Sequence, residues 1–183
     1  GASTDEAQVN VAIQVAEQLS DYLLDGTVVN AINMPSVSAE DAPKLAPYLK
    51  LAEQLGSFAG QVTETAITRV KIEYCGHAAE LNTKPLTAVV LKGLLSPLLE
   101  SVNMVSAPSV AKERNIEISE VTCDALDELQ TKITLTVTTE AQIRSLAGTL
   151  FAGDKPRIVE IKGIAIDAKL GPNMLFITNE DKP

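Results

Sequence analysis

The sequence predicts an α+β fold, with helices packed on one face of a mostly antiparallel sheet and a long additional helix at the N-terminus. Three observations predict it. Apolar residues recur at helical spacing through most of the first half of the chain, they alternate at strand spacing through most of the second, and Lys162-Gly163 marks a two-residue hairpin turn.

Residues 4–24 read as a helix: Ser3 and Glu6 form a capping-box pattern, Ala7, Val11, Ala12, Val15, Leu19, Tyr22 and Leu23 make an apolar stripe, and Gly26 supplies the stop. A helix so apolar on one side needs a partner, and one starting this close to Gly1 points to a partner outside the chain. TVVNAINMPSVS is an extended linker, where Pro35 blocks helix and Ser38 can cap the next one. Residues 39–60 form that second helix on Leu45, Leu49, Ala52, Leu55 and Ala59; Pro43 is tolerated near its start, and Pro47 predicts an irregular first turn. Gly56 and Gly60 give it a small-residue face. Residues 69–74 alternate as a strand with one wet face. His77, the only histidine, comes next in a turn and has no neighbour that would orient it as a base.

Residues 84–100 are predicted helical, with Pro97 bending the last turn. A short strand is predicted at 102–105 and a small helix at 108–114. Strands are then predicted at 117–122, 132–138 and 143–151, the first two joined by the acidic loop CDALDEL. The hairpin completes the set, and a last strand is predicted at 174–178.

Composition narrows the function. Net charge is -9, which argues against nucleic acid, because neutralising phosphates requires a basic face. Aromatics are 3 % with no Trp, so the core rests on Val, Ile, Leu and Ala. Cys75 and Cys123 lack metal spacing and are expected to be reduced strand or core residues of a cytoplasmic protein. No apolar run is long enough to span a membrane.

No GxGxxG, P-loop, nucleophile elbow or metal-ligand cluster is present, and no acid-base set can be assembled. Asp124, Asp127 and Glu128 crowd a solvated loop. The cations are more informative. Residues 148–171 hold Lys155, Arg157, Lys162 and Lys169 against three carboxylates, a local surplus of positive charge in an acidic chain. Ideal register around Lys162-Gly163 pairs Ile161 with Ile164 and Val159 with Ile166. Arg157 and Lys169 then meet at the open end but on opposite faces, so convergence needs a bend near Pro156 or a second subunit. Solvation of a sheet edge is the plainer role for such cations. Lys92 and Arg114 are further candidates for holding a phosphate or carboxylate.

At the two ends of the chain the residues resemble a known family. GASTDEAQVNVAIQVAEQLSDYL, succeeded by VVNAINMP, resembles the last helix and exit segment of the catalytic core of bacterial D-3-phosphoglycerate dehydrogenases. PYLKLAEQLGSFAGQ, GTLFAGDKPRIVEIKG and the terminal FITNEDKP resemble the next two parts of the long form of that enzyme: an allosteric substrate-binding domain and the first strand of a serine-sensing ACT domain. The resemblance implies three parts, residues 1–35, 36–171 and 172–183. It carries anion-binding cations onto Arg157 and Lys169, with Lys162 nearby, and a partial serine site onto Asp181 and Asn179. The family's catalytic histidine would precede Gly1, and its nucleotide-binding glycines, catalytic arginine and glutamate match nothing in the chain. The implied role is regulation and assembly in an enzyme that oxidises 3-phosphoglycerate with NAD in L-serine biosynthesis. The partners implied are a second copy or a tetramer, a phosphorylated acid or phosphate, and serine in the parent enzyme. A structural spacer that binds nothing is the alternative.

Overall fold

The computed structural model describes residues 4–25, 29, 37, 40–124 and 129–177. Six strands form one sheet in the order β2-β1-β3-β4-β5-β6: β1 (Ile67–Gly76), β2 (Glu117–Cys123), β3 (Thr131–Thr139), β4 (Ile143–Phe151), β5 (Lys155–Ile161) and β6 (Ile164–Ala168). Only β1 and β2 are parallel. A parallel neighbour needs a long crossover, and the chain makes it through a 3-10 turn (His77–Glu80), helix α3 (Thr83–Leu95) and helix α4 (Ala107–Glu113). The fold is α+β, as the alternation of periods predicts.

The core lies between the sheet and two helices, α3 and α2 (Ala42–Gln61). Val70, Ile72 and Tyr74 of β1 face Val137, Leu135 and Ile133 of β3, and all six are buried on the helix side. Their neighbours Arg69, Lys71 and Glu73 take the open side, where Arg69 pairs with Glu117 at 2.8 Å and Lys71 with Glu73 at 2.9 Å. Tyr74 shares a 2.8 Å hydrogen bond with Thr87 of α3. Burial pushes its phenol well above the usual tyrosine range; the Thr87 bond opposes that and Glu120 adds to it.

Glycine sets the spacing of α2 and α3. A Cβ on Gly56 would stand 2.2 Å from the Val90 carbonyl oxygen, and one on Gly93 would stand 2.7 Å from the Ser57 nitrogen. The small-residue face expected of α2 is thus a line of backbone contact.

Several expectations need correction. Helix α3 stops at Leu95, so Pro97 lies in the turn beyond it. Residues 102–105 form no strand: the Asn103 side-chain oxygen accepts from the backbone nitrogens of Val105 and Ser106, both at 2.9 Å, and removes donors that a ladder would use. Residues 174–177 are not in a strand either; they lie against α2, with Phe176 edge-on to Phe58 at 5.6 Å. Pro47 sits inside α2 without ending it. Cys75 and Cys123 are joined as a disulfide, because the β1–β2 register sets them side by side with Cα atoms 4.6 Å apart.

The first helix, α1 (Asp5–Asp25), forms where predicted. Thr4 caps it, accepting from the Ala7 nitrogen at 3.3 Å. Ser3, Gly26, Pro35, Ser38, Asp127 and Glu128 lie outside the described residues. The apolar stripe faces solvent, with Leu19 57 % and Leu23 73 % exposed.

Candidate functional site

The cationic hairpin forms, with a different register from the ideal one. Lys162 and Gly163 both take positive φ, 51° and 78°, the backbone that a tight two-residue turn requires. Ile161 pairs with Ile164 and Glu160 with Ala165 as expected. The register then shifts, and Ile158 pairs with Ala168. On the other flank β4 shifts at the same place, Ala147 facing Glu160 and Gly148 facing Ile158. Against β4, Val159 is an extra residue, a bulge; against β6 the extra residue lies on the partner strand, where Ile166 and Asp167 both stand opposite Val159, and the expected pairing of Val159 with Ile166 is not made.

This second offset matters for the cations. The β5–β6 ladder ends at Ile158 and Ala168, and the extra residue in β6 leaves Lys169 next in line toward Arg157, where an unbulged hairpin would set Ala168. The offset arises in β6 and not at Pro156, which stays paired with Leu150 of β4. Arg157 lies on the open side beside Thr149 and approaches Asp167 at 3.4 Å; its guanidinium carbon is 5.9 Å from the Phe151 ring centroid. Asp167 is 64 % exposed, so that pair is screened and contributes little. Lys169 comes just after β6 and is exposed. Lys162 does not join them: it is exposed in the turn, five residues along β5, or about 17 Å at strand rise. Asn179 and Asp181 lie outside the described residues.

The remaining candidates are scattered. Lys92 is on α3, held by Glu53 of α2 at 2.7 Å, on the side of the sheet away from Arg157. Arg114 is exposed at the end of α4. His77 is exposed, and its backbone nitrogen donates to the Gln130 carbonyl at 3.0 Å. Among the described residues no group of His, Cys, Asp and Glu could hold a metal, and no helix is long and apolar enough to cross a membrane.

One cation is missing from the sequence-based candidates. Arg144 is on the helix-side face of β4, opposite Val137, and donates to the Val62 carbonyl at the end of α2. A charged residue at the inward parity of a half-buried strand was the available signal.

The span that builds this architecture matches the D-3-phosphoglycerate dehydrogenase intervening domain over residues 44–162, from the first turn of α2 through β5. The chain belongs to that family. Arg157 and Lys162 fall inside the matched span, and Lys169 lies beyond it. Curated relatives include the D-3-phosphoglycerate dehydrogenase of Synechocystis sp., 39 % identical over 100 % of this chain and 33 % of the relative. Those of Bacillus subtilis and Methanocaldococcus jannaschii are each 35 % identical, over 99 % and 100 % of this chain and 35 % of the relative. The chain spans about a third of the length of these dehydrogenases.

Proposed function

We propose that this chain is the regulatory and assembly portion of a D-3-phosphoglycerate dehydrogenase. In the whole enzyme, 3-phosphoglycerate is oxidised to 3-phosphohydroxypyruvate with NAD, in L-serine biosynthesis in the cytoplasm. This portion binds a phosphorylated acid or phosphate at Arg157 and Lys169, and the parent assembles as a homodimer or homotetramer. The division into residues 1–35 (end of the catalytic core), 36–171 (intervening domain) and 172–183 (start of an ACT domain) belongs to the same proposal.

The observation that carries the reading is the extra residue in β6 opposite Val159, which leaves Lys169 next in line toward Arg157 at the end of the last two strands. A phosphate there would take charge-assisted hydrogen bonds, worth roughly 1.5 to 3 kcal/mol each, in exchange for the screened contact with Asp167. An anion that prefers one arrangement of domains needs only about 1 to 3 kcal/mol of preference to regulate. Lys162 is too far along the strand to share a compact anion with the other two.

The described residues do not fit NAD. The parallel pair leaves β1 through one glycine, Gly76, into a 3-10 turn, not through the glycine-rich turn that admits a pyrophosphate.

Calorimetric titration tests the proposal. With 3-phosphoglycerate, 3-phosphohydroxypyruvate or phosphate at low salt, saturable heat is expected. The Arg157→Ala, Lys169→Ala double variant is expected to bind at least about ten-fold more weakly while keeping its circular dichroism spectrum. No heat at millimolar ligand would favour the structural-spacer alternative, in which Arg157 and Lys169 only solvate the sheet edge, and equal saturable heats in the two proteins would move the anion site away from them.

A further inference from the structure

On the helix side of the sheet a groove of about 730 Å³ runs between α2, the end of α3 and the segment 170–176. That volume suits a small organic ligand. Its apolar wall includes Phe58, Pro97, Met174 and Phe176, and Arg144 and Gln54 supply polar groups.

Arg144 is under-partnered for its position. Its Nη1 donates to the Val62 carbonyl and its Nη2 to Gln142 Oε1 at 3.2 Å, while its Nε is buried with no partner. Among the described residues no carboxylate stands within ion-pair distance of it. Capping α2 sets the guanidinium against the negative end of that helix's dipole and leaves its Nε–H without a partner. Gln54 carries a second buried orphan, its amide oxygen, on the same groove. A cationic donor and a neutral acceptor are therefore both unsatisfied beside an aromatic wall, and each such group costs free energy until it is paired.

We propose that this groove binds a small monoanionic organic acid, its carboxylate on Arg144, a hydroxyl or N–H donating to Gln54, and its apolar body against Phe58 and Phe176. The charge around the groove selects for one negative charge. Lys92 is already neutralised by Glu53 at 2.7 Å, and the exposed carboxylate of Glu64 on the rim repels a phosphate dianion. The site is independent of Arg157 and Lys169, which lie on the other face and edge of the sheet.

Mandelate carries all three features and serves as the probe. Titrated into the 183-residue chain, it is expected to shift the Arg144 Nε–H resonance and the Phe176 amide saturably in nitrogen-proton correlation spectra. Neutral mandelamide and inorganic phosphate are expected to leave both in place. Arg144→Gln is expected to abolish the Phe176 shift, and Arg157→Gln to leave it unchanged. Because Arg144 also holds the end of α2, Phe176→Ala is the second variant, expected to weaken mandelate about ten-fold by removing one aromatic wall. Absence of a saturable shift at millimolar mandelate, equal response to mandelamide or phosphate, or an undiminished response in Phe176→Ala would each overturn the proposal. Loss of the response in Arg157→Gln would do so too, by moving the site to the hairpin.

Discussion

Tyr74 shows how one side chain ties sheet to helix and gives stability a pH dependence. Its phenol is fully buried, bonded to Thr87, and held above the ordinary tyrosine range chiefly by desolvation. The unfolded phenol ionises near pH 10. Below that pH both states hold the proton and the buried phenol contributes in full. Above it the unfolded chain loses its proton first, so stability falls as pH rises toward the folded value. Urea midpoints for the parent are therefore expected to drop more steeply between about pH 9 and 11 than those of Tyr74→Phe. At neutral pH the variant is expected to lose about 1 kcal/mol through the stranded Thr87 hydroxyl. Parallel alkaline slopes in the two proteins would refute the assignment to Tyr74. Arg144 illustrates the converse at this scale: its position on β4 was legible as inward-facing, but the carbonyl it reaches belongs to Val62, 82 residues away in sequence.

Among the elements, the β5–β6 hairpin separates local from non-local information. Its turn was legible, because Gly163 accepts positive φ at no cost and alternation on both sides fixes the centre. The bulges were not, since Val159 is apolar and fits either register; only pairing with β4 makes it an extra residue, and only pairing with β5 makes one of Ile166 and Asp167 extra in β6. Lys162 also occupies the left-handed region, which disfavours a residue with a Cβ and is eased for Asn. Lys162→Asn is expected to raise unfolding free energy by about 0.5 to 1 kcal/mol, read from chemical denaturation. Calorimetry on the same variant should find phosphate binding unchanged, because Lys162 stands apart from Arg157. A loss of phosphate affinity would put Lys162 back into the anion site.

Across the whole molecule, the disulfide between Cys75 and Cys123 closes a long loop, with a sequence separation of 48, and fastens the edge strand β2 to β1. The chain-entropy account gives such a closure about 4 kcal/mol, with typical measured values of roughly 2 to 4 kcal/mol. Reduction with dithiothreitol, or the Cys75→Ser, Cys123→Ser variant, is expected to lower the thermal midpoint by several degrees, on the order of 4–8 °C per 2 kcal/mol for a chain of this size. Unchanged melting on reduction would show that strand pairing alone secures β2. The sheet's two faces also divide the molecule's chemistry: the open face and far edge carry Arg157 and Lys169, while the helix side carries the groove at Arg144.

By itself the sequence determined the helices and strands whose periodicity is strong, the turn at Lys162-Gly163, the small-residue face of α2 and the family resemblance. These depend on residues close in the chain, where apolar spacing and backbone preference act directly. Tertiary structure decided the strand order, the bulge at Val159, the pairing of Cys75 with Cys123, and the conversion of residues 102–105 into a side-chain-held turn. Each depends on which distant segment supplies a partner. Cys75 and Cys123 carry no local sign of each other, and meet only because the α3–α4 crossover returns β2 parallel to β1.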